Sequence, residues 1–449
     1  MRFRCAVFST LLAACGGDTG GSSGPPPSED RPLAADFDEV YRIGGIEAEG
    51  WDAFTEIADM GFDARGHLYI RDEAGSSTRI VAIDGAGALV AEFGRMGDGP
   101  GEFRGVGHMV ARPEGGAVIV DDGHRAYLLF GADGSFERAI RFADPGSSQT
   151  APARTVRHGR EGAELFLVRG ATASFSQGEA SVSSGDRTLY RVSLEEGEEA
   201  ATVPFVEGWE PRPERQVTTE AEDLSDMFGM LRDAYVYFSP SMVFDVVPGG
   251  GVAYSDSSAY EIKIRTASAP PRVVSRPLHP QPVTEQLRER ARVRALEGFE
   301  SSAEEQYTVS GLGDDVPAAA REQMAVIMEP MMAGVRDMVE NASFMPEVPL
   351  VRDLRTTWDG TIWVERWGSD PLPQINVAFG GSDDRNREGE AADGWIDVLA
   401  AGGEYVGTFS QEETPMPGAF GPGGLVAFVE TDEFDIPTII VKRLPEPVR

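Results

Sequence analysis

The chain is poor in the residue types that most often build disulfides, metal sites and basic surfaces. Among 449 residues there are only two cysteines, Cys5 and Cys15, and five widely scattered histidines. Both cysteines stand near the N-terminus, so they cannot cross-link the body of a fold, and no Cys/His spacing typical of zinc is present. Lysine occurs only at Lys263 and Lys442, which leaves arginine as the source of nearly all positive charge.

Positive charge as a whole is also scarce. Forty basic residues stand against 74 acidic ones, and the formal net charge is −34 at pH 7. Nucleic-acid binding needs a positive footprint for the phosphates, and attachment to anionic lipid headgroups needs basic clusters. The composition therefore argues against nucleic acid as a partner and against a basic peripheral membrane surface.

Long hydrophobic runs are missing, but the first fifteen residues have the pattern of an export signal. No segment reaches the ~20 apolar residues that span a bilayer. Arg2 and Arg4 flank the start of a mostly apolar stretch, which ends in Leu-Ala-Ala-Cys15. This order is typical of a secretory signal, and its last four residues resemble the lipobox of bacterial lipoproteins, whose cysteine is acylated. We therefore expect a signal peptide and lipobox in 1–15, lipidation of Cys15 and a flexible Gly/Ser/Pro tether over 16–35.

Glycine, in contrast, is abundant, with 53 residues, and it punctuates a repeated phrase. Each copy has a glycine turn, an apolar run, an acidic residue, a second apolar run and another glycine turn. The clearest copies run from Gly66 to Phe93 and from Gly116 to Ile140. Repeats of this kind indicate a β-propeller or a related repeat architecture. Counting the copies predicts an all-β fold, a six-bladed β-propeller over 36–449.

The two ends of the chain are expected to meet in the last blade. The final copy supplies only three strands, and the strand Glu39–Ile43 from the N-terminal side is expected to complete it. Pairing the ends in this way removes exposed sheet edges, which would otherwise favour aggregation.

A segment without the repeat pattern, about 284–345, interrupts the repeats. Thr284 is expected to cap a helix from Glu285 to about Gly298, and a second helix is expected from Ala318 to Asn341. We therefore predict an α-helical insertion between blades four and five, over one mouth of the propeller. The methionines of the second helix form either its buried face or an adaptable binding surface, for which the candidates are Met324, Met328 and Met331.

Three stretches carry a resemblance to a known family: Phe93–Phe103, a glycine-rich link between blades; Trp395–Phe409; and the closing strand region Asp432–Leu444. In them the chain resembles the bacterial six-bladed β-propeller lipoproteins related to NHL-repeat and TolB-like propellers. The resemblance covers about 36–444. It implies a fold and an exported location and implies no particular reaction.

The first strand of each blade lines the axis of a propeller, so ionisable residues there are the candidate binding site. Carboxylates that converge with one histidine could hold a calcium ion or act as acid and base. The alternative is that they are hydrated pore residues paired with arginine. The candidates are Asp59, His108, Arg157, Asp245, Asp353 and Arg355.

Two further patterns have structural explanations that we favour. Charged residues end the second strand of each blade, and we expect each aspartate there to bond nearby backbone or to pair with arginine. These residues are Asp72, Asp122, Arg169, Asp256, Arg366 and Glu430.

A segment beginning at Asp384 resembles the start of a calcium loop but has Trp395 where the twelfth-position glutamate belongs, so we expect a solvated hairpin loop over 380–394.

No Ser-His-Asp arrangement or nucleophile-elbow phrase is recognisable. We therefore expect an exported, lipid-anchored propeller on the periplasmic face or outer membrane, which binds a small molecule or an envelope protein and needs no cofactor. The open alternative is a metal-dependent, calcium-type hydrolase or lactonase that uses carboxylates of the central channel.

Overall fold

A computed structural model of the protein describes most of the chain after its first 27 residues. The described residues are 28–143, 153–170, 172–176, 179–183, 187–195, 197, 199–209, 217–220, 236–266, 270–309, 333–372 and 393–449. Their regular structure is predominantly β-strand with few helices, so the predicted all-β, propeller-like architecture is confirmed.

Four antiparallel sheets of four strands stand alone, and we number them by their position along the chain. Sheet I contains β2 (Ile57–Phe62), β3 (Leu68–Ala74), β4 (Ser77–Ile83) and β5 (Leu89–Phe93). Sheet IV contains β18 (Val243–Val247), β19 (Gly251–Ser255), β20 (Glu261–Thr266) and β21 (Arg272–Ser275). Sheet V contains β23 (Val351–Thr356), β24 (Ile362–Arg366), β25 (Trp395–Leu399) and β26 (Tyr405–Ser410). Sheet VI contains β27 (Ala419–Phe420), β28 (Leu425–Thr431), β29 (Pro437–Arg443) and β1 (Asp38–Gly44).

An eight-stranded sheet consists of two further antiparallel groups of four. Group II contains β6 (Val106–Ala111), β7 (Ala117–Asp121), β8 (Ala126–Phe130) and β9 (Phe136–Phe142). Group III contains β10 (Ala153–His158), β11 (Glu164–Arg169), β14 (Thr188–Ser193) and β15 (Glu199–Glu207). A short parallel pairing of Glu199 and Ala200 with Arg141 and Phe142 joins the two groups at their outer strands.

The N-terminal strand β1 completes sheet VI, as the repeat pattern predicts. It pairs antiparallel with β29, with Asp38 opposite Arg443 and Gly44 opposite Thr438. Because β29 is thereby paired on both sides, the edge of sheet VI is not formed by the last strand of the chain.

Smaller elements lie in the connections between the main sheets. One small sheet contains β12 (Thr172–Ser176), β13 (Glu179–Ser183) and β16 (Val217–Glu220), and another contains β17 (Val236–Tyr237) and β22 (Ser343–Phe344). Short 3₁₀ turns occupy Gly50–Asp52, Pro422–Gly424 and Glu446–Val448. In the parts of the chain that the structure describes, none of the helices is both long and apolar enough to cross a bilayer.

Helix α1 (Glu285–Val309) begins where the sequence predicts and ends later. The backbone N–H of Leu287 donates to Thr284 Oγ1 at 3.2 Å, so Thr284 is the expected N-cap. The predicted end near Gly298 is wrong, because a single glycine costs a helix only about 1 kcal/mol and does not terminate it. Residues 333–340 are helical and form part of the second predicted helix, whereas Met324, Met328 and Met331 lie outside the described residues.

The helical segments share an apolar core of their own. Leu287, Ala291 and Ala295 recur every fourth residue along α1 and are buried against Val335 and Val339 of 333–340. The same cluster includes β17 and residues that follow β24. These contacts attach the helical segments to sheet V. The helical periodicity of the sequence thus places these apolar side chains on one face, as alternation along a strand does in the sheets.

Apolar clusters fill the space between consecutive sheets. The alternation of side chains along a strand lets each sheet contribute to two clusters. In β3, for example, Leu68 and Ile70 pack against sheet VI, whereas Tyr69 between them packs against group II. Separate clusters lie between I and II, II and III, III and IV, IV and V, V and VI, and VI and I.

The first strands of consecutive sheets lie side by side and run in the same direction. Asp59 Oδ2 of β2 accepts the N–H of Met109 in β6, and a Cβ on Gly61 would lie 3.0 Å from that of Ala111. From the first contact to the second, the residue number increases by two on both strands, so the strands are parallel. Corresponding contacts align β10 with β18, β18 with β23 and β27 with β2. We call the side on which these strands begin the start face and the opposite side the end face.

The two faces carry very different connections. In each sheet, the end-face connections are no longer than the five residues 63–67 between β2 and β3. The long connections leave and re-enter the sheets on the start face, namely 170–187 and 208–242 with their short strands, 276–350 with α1, and 367–394. The long connections between strands therefore all begin and end on one face.

Residues 29–37, which we call the strap, pack on sheet V and shorten the predicted tether. The N–H of Leu33 donates to Thr408 O at 2.9 Å, and Thr408 N–H donates to Arg31 O at 2.8 Å. Asp30 pairs with Arg276 and Arg366 at 2.9 Å each. The prediction that 16–35 is all tether is thus wrong for its last residues, because backbone pairing and ion pairs hold them on the sheet.

Asp30, whose side chain is 32% exposed, completes a charge network whose other members are buried. Arg276 and Arg366 also bind Asp397, which is fully buried, so without Asp30 two guanidinium groups would share one carboxylate. Burial opposes ionisation of Asp30, but the hydrogen bonds and charges of Arg366 and Arg276 outweigh it and lower the pKa of its carboxyl. Its stabilising contribution is therefore complete above the ordinary aspartate pKa and is lost as the pH falls through the lowered value.

We expect Asp30→Asn to reduce the free energy of unfolding by about 2 kcal/mol at pH 7, because a positive charge is left uncompensated. Urea denaturation at pH 7 and at about pH 2 measures this effect, and the difference from the unmodified protein should shrink at the lower pH. Asp36→Asn, at an exposed strap position, is the matched control. Equal effects of the two substitutions at pH 7 would contradict the assigned role of Asp30.

Candidate functional site

Three of the six predicted axial residues bond the neighbouring first strand. Asp59 Oδ2 accepts Met109 N–H at 2.8 Å and the Nε–H of Arg71 at 2.7 Å. Arg71 is itself buried and also pairs with Glu73. Asp59 therefore joins β2 to β6, and its carboxylate is already engaged by a backbone amide and a buried arginine.

His108 and Asp245 make corresponding links. His108 Nε2 lies 2.8 Å from the carbonyl oxygen of Ala153, so Nε2–H donates from β6 to β10. Asp245 Oδ2 accepts the N–H of Thr356 at 2.7 Å, from β18 to β23. Both side chains are largely buried. Both predicted site residues therefore link neighbouring first strands.

Arg157, Asp353 and Arg355 remain accessible. Their side chains are 22%, 23% and 27% exposed, respectively. Arg157 Nε lies 3.3 Å from Asp245 Oδ1, and Arg355 Nε lies 3.4 Å from Asp353 Oδ2. Arg157 also interacts electrostatically with Arg355, Asp353 and Asp59, so the structure brings five of the six predicted residues into one electrostatic cluster.

Burial and charge make Arg157 an unusual arginine. Removal from bulk water lowers the pKa of its guanidinium to about 10, and the like charge of Arg355 acts in the same direction. The carboxylates of Asp245, Asp353 and Asp59 oppose this shift. The protonated form of Arg157 is thus less stable here than at a surface, and an added negative charge would stabilise it.

A pair that the sequence does not reveal lies where the first strands reach the end face. Arg160 follows β10 and donates to the carbonyl oxygen of Thr356 in sheet V at 3.0 Å. Its guanidinium carbon lies 4.7 Å from the centre of the Trp358 ring, and Trp358 Nε1–H donates to Phe420 O at 2.8 Å. Arg160 and Trp358 thus connect group III with sheets V and VI. The turn pattern shows no signal for this pair, because its members are far apart in sequence.

The aspartates that end second strands have the structural role that the sequence predicts. Asp72 Oδ1 accepts the N–H groups of Thr55 and Glu56, and Arg79 Nε–H donates to Asp72 Oδ2 at 2.9 Å. Asp256 accepts Trp209 N–H at 2.8 Å and pairs with Lys263 at 2.7 Å. Each carboxylate therefore holds a start-face connection against its sheet.

In group II, Asp121, the residue before the predicted Asp122, performs this role. Asp121 accepts the N–H groups of Arg104 and Gly105 at 2.9 and 3.0 Å and also contacts His124. Counting back to the preceding turn does not by itself separate Asp121 from Asp122. Asp72 follows Gly66 by six residues, and Asp121 follows Gly115 by the same interval, but the Gly115–Gly116 doublet makes the register ambiguous.

The described ranges contain no assembled metal site. Among those residues, no three His, Cys, Asp or Glu side chains come together in a way that could hold an ion. The calcium-loop-like segment that begins at Asp384 lies mostly outside them. Calcium binding therefore stays a prediction that no group of described ligand residues supports.

Exposed aromatic and large apolar side chains concentrate on the start face. Trp209 follows β15, and Trp395 begins β25; they are 48% and 41% exposed. Four further exposed apolar residues lie in start-face segments: Ile46, Met96, Val293 and Phe434. Exposed apolar side chains elsewhere, such as Val273, lie on outer strands. Tryptophan is enriched where proteins bind partners, so this face has the composition of an interaction surface.

The fold defines an all-β, propeller-like protein. No protein-family model and no curated protein matches the chain. A member of the DUF4221 family from Bacteroides vulgatus is similar at 10% identity, over 91% of this chain and 99% of that one, with a TM-score of 0.45. A protein from Bacteroides fragilis that is thought to be exported gives 10% identity, 94% and 98% coverage and a TM-score of 0.46.

Virginiamycin B lyase from Staphylococcus aureus is similar at 9% identity, over 90% of this chain and 99% of that one, with a TM-score of 0.37. Likenesses at this level concern the fold alone. The resemblance to six-bladed lipoproteins related to NHL-repeat and TolB-like propellers accordingly stays a prediction.

We expect Asp245→Ala to lower the free energy of unfolding by about 3 kcal/mol, because the buried N–H of Thr356 loses its acceptor. Asp353→Ala should change it by less than about 1 kcal/mol, because Asp353 is partly solvated. Urea denaturation of both variants tests the difference. Equal losses would mean that Asp353 has a structural role as large as that of Asp245.

Proposed function

We propose that the protein is an exported, lipid-anchored, six-bladed β-propeller that serves as a binding module of the cell envelope. Groups II and III are two blades that share a short outer pairing, and sheets I, IV, V and VI are the other four. Support for this blade count comes from the apolar clusters, which join the six groups in a closed order. The segment that contains α1 is the helical insertion between blades four and five.

The asymmetry of the two faces is the observation that carries the binding role. The long connections begin and end on the start face, where the exposed tryptophans also lie, whereas the connections on the end face are short turns. Short turns are enough to connect the strands of a propeller. The long connections on the start face therefore need an explanation other than closure of the fold. Recognition of a partner or ligand at that face supplies one, because binding residues commonly lie on loops held by a rigid scaffold.

The alternative, a metal-dependent hydrolase or lactonase, has less support. Asp59 and Asp245 would be its first candidates for ligands, but each accepts a backbone N–H of the neighbouring blade. Using them as metal ligands would disturb the packing of adjacent blades. Asp353 is the accessible carboxylate that remains in this cluster, and one carboxylate is a poor site for calcium, which takes six to eight oxygen ligands.

Photo-crosslinking in intact cells tests the binding face. A photoreactive benzoylphenylalanine replaces Trp209 or Trp395, and the same residue at Val273, exposed on the outer strand β21, is the control. We expect discrete adducts from the two start-face positions and none from the control. The same adducts from all three positions, or none from any, would contradict a binding role for the start face.

Metabolic labelling with an alkyne fatty acid tests the anchor. The unmodified protein and Cys5→Ala should behave differently from Cys15→Ala, which should incorporate no label and move to the soluble fraction, because the lipobox cysteine is the acylated one. Label retained in Cys15→Ala would contradict lipidation at this residue.

A further inference from the structure

We propose that Arg157 and Arg355 hold a small dianion, a dicarboxylate or a phosphate, in the axial space that the first strands surround. The inference rests on the proposed binding function and assigns it a ligand class. It identifies a site inside the ring of strands, separate from the tryptophans of the start face.

The two guanidinium groups have donors that the protein does not use. The Nε atoms of Arg157 and Arg355 are buried and have no hydrogen-bond partner among the described residues. Arg157 donates through one terminal nitrogen to Val156 O at 3.0 Å. The carboxylates 3.3 and 3.4 Å away balance the formal charge of the two groups without giving either Nε a hydrogen bond.

Buried arginines with a structural role differ from this pair in having carboxylates at hydrogen-bond distance, although Arg366 too has an Nε without a partner. Arg276 bonds both Asp397 and Asp30, and Arg366 bonds the same two carboxylates. Those side chains lie in a blade interface with their charge shared among close partners. Arg157 and Arg355, in contrast, come from blades three and five and retain partial exposure to solvent.

The unused donors of the two arginines, rather than the net charge of the cluster, favour an anion over a cation. Each guanidinium has five N–H donors and no acceptor, and an oxyanion can accept from both groups at once. The mutual repulsion of Arg157 and Arg355, which contributes to the lowered pKa of Arg157, would be relieved by a bound negative charge. Asp353, the accessible carboxylate of the cluster, could accept a hydrogen bond from a hydroxyl or ammonium group of the same ligand.

The end face restricts which side a ligand can use. Arg160 extends from blade three to Thr356 of blade five and stacks on Trp358, and Trp358 bonds blade six. These contacts place two large side chains where the first strands end. A ligand would therefore reach Arg157 and Arg355 from the start face, which limits it to molecules small enough to pass between the first strands.

Isothermal titration calorimetry in low-chloride buffer, with inorganic phosphate and with succinate as probes, tests the proposal. We expect at least one probe to bind the unmodified protein, and Arg157→Gln and Arg355→Gln each to weaken that binding at least tenfold. Arg141→Gln, at an exposed position of β9, is the control and should leave the affinity unchanged. Binding of phosphate alone or of succinate alone distinguishes the two sources of the anion.

Arginine modification with phenylglyoxal provides a second measurement on the unmodified protein, in case a glutamine variant does not fold. Peptide mapping should show that the bound probe protects Arg157 and Arg355 and leaves Arg141 reactive. Absence of heat with both probes, unchanged affinity in the glutamine variants, or protection that spares Arg157 and Arg355 would each overturn the proposal. None of these results alters the crosslinking outcome at Trp209 and Trp395, so the two failures are distinguishable.

Discussion

Burial of both faces of every main sheet is the constraint on which the rest of the structure depends. Leu68 and Ile70 of β3 point to one neighbour and Tyr69 to the other, and all three side chains are fully buried. Each such side chain contributes about 1.5–3 kcal/mol when it leaves water. A sheet with two apolar faces needs a neighbour on each side, and a series of such sheets satisfies all its members without exposed ends only by closing on itself.

Closure determines what ionisable groups near the axis can do. First strands that lie side by side expose amides and carbonyls to one another without forming a regular ladder between blades. Asp59, His108 and Asp245 satisfy several of these groups, since an unpaired buried amide would cost about 1–3 kcal/mol. The acidic residues that look like ligands in the sequence are thus mostly used in assembly, whereas Arg157 and Arg355 keep unused donors.

The even number of strands in each sheet determines where variation is tolerated. Four antiparallel strands return the chain to the side from which it entered, so every passage to the next sheet lies on the start face. The connections on the end face are turns within a sheet, and their length is constrained by the pairing of adjacent strands. Long segments such as 276–350 therefore connect strands on the start face and leave the packing of the sheets intact.

The sequence by itself determined the propeller-like class, the completion of sheet VI by β1, the start of α1 and the role of Asp72, because alternation, glycine turns and caps are local signals. Counting from the turns could not separate Asp121 from Asp122, because two adjacent glycines allow either register. Only the tertiary structure decided the docking of the strap through Asp30, the contact of Arg160 with Trp358, and the difference between engaged and accessible axial residues. The reason is physical: these properties depend on contacts between blades, whose residues are far apart along the chain and whose register follows from packing.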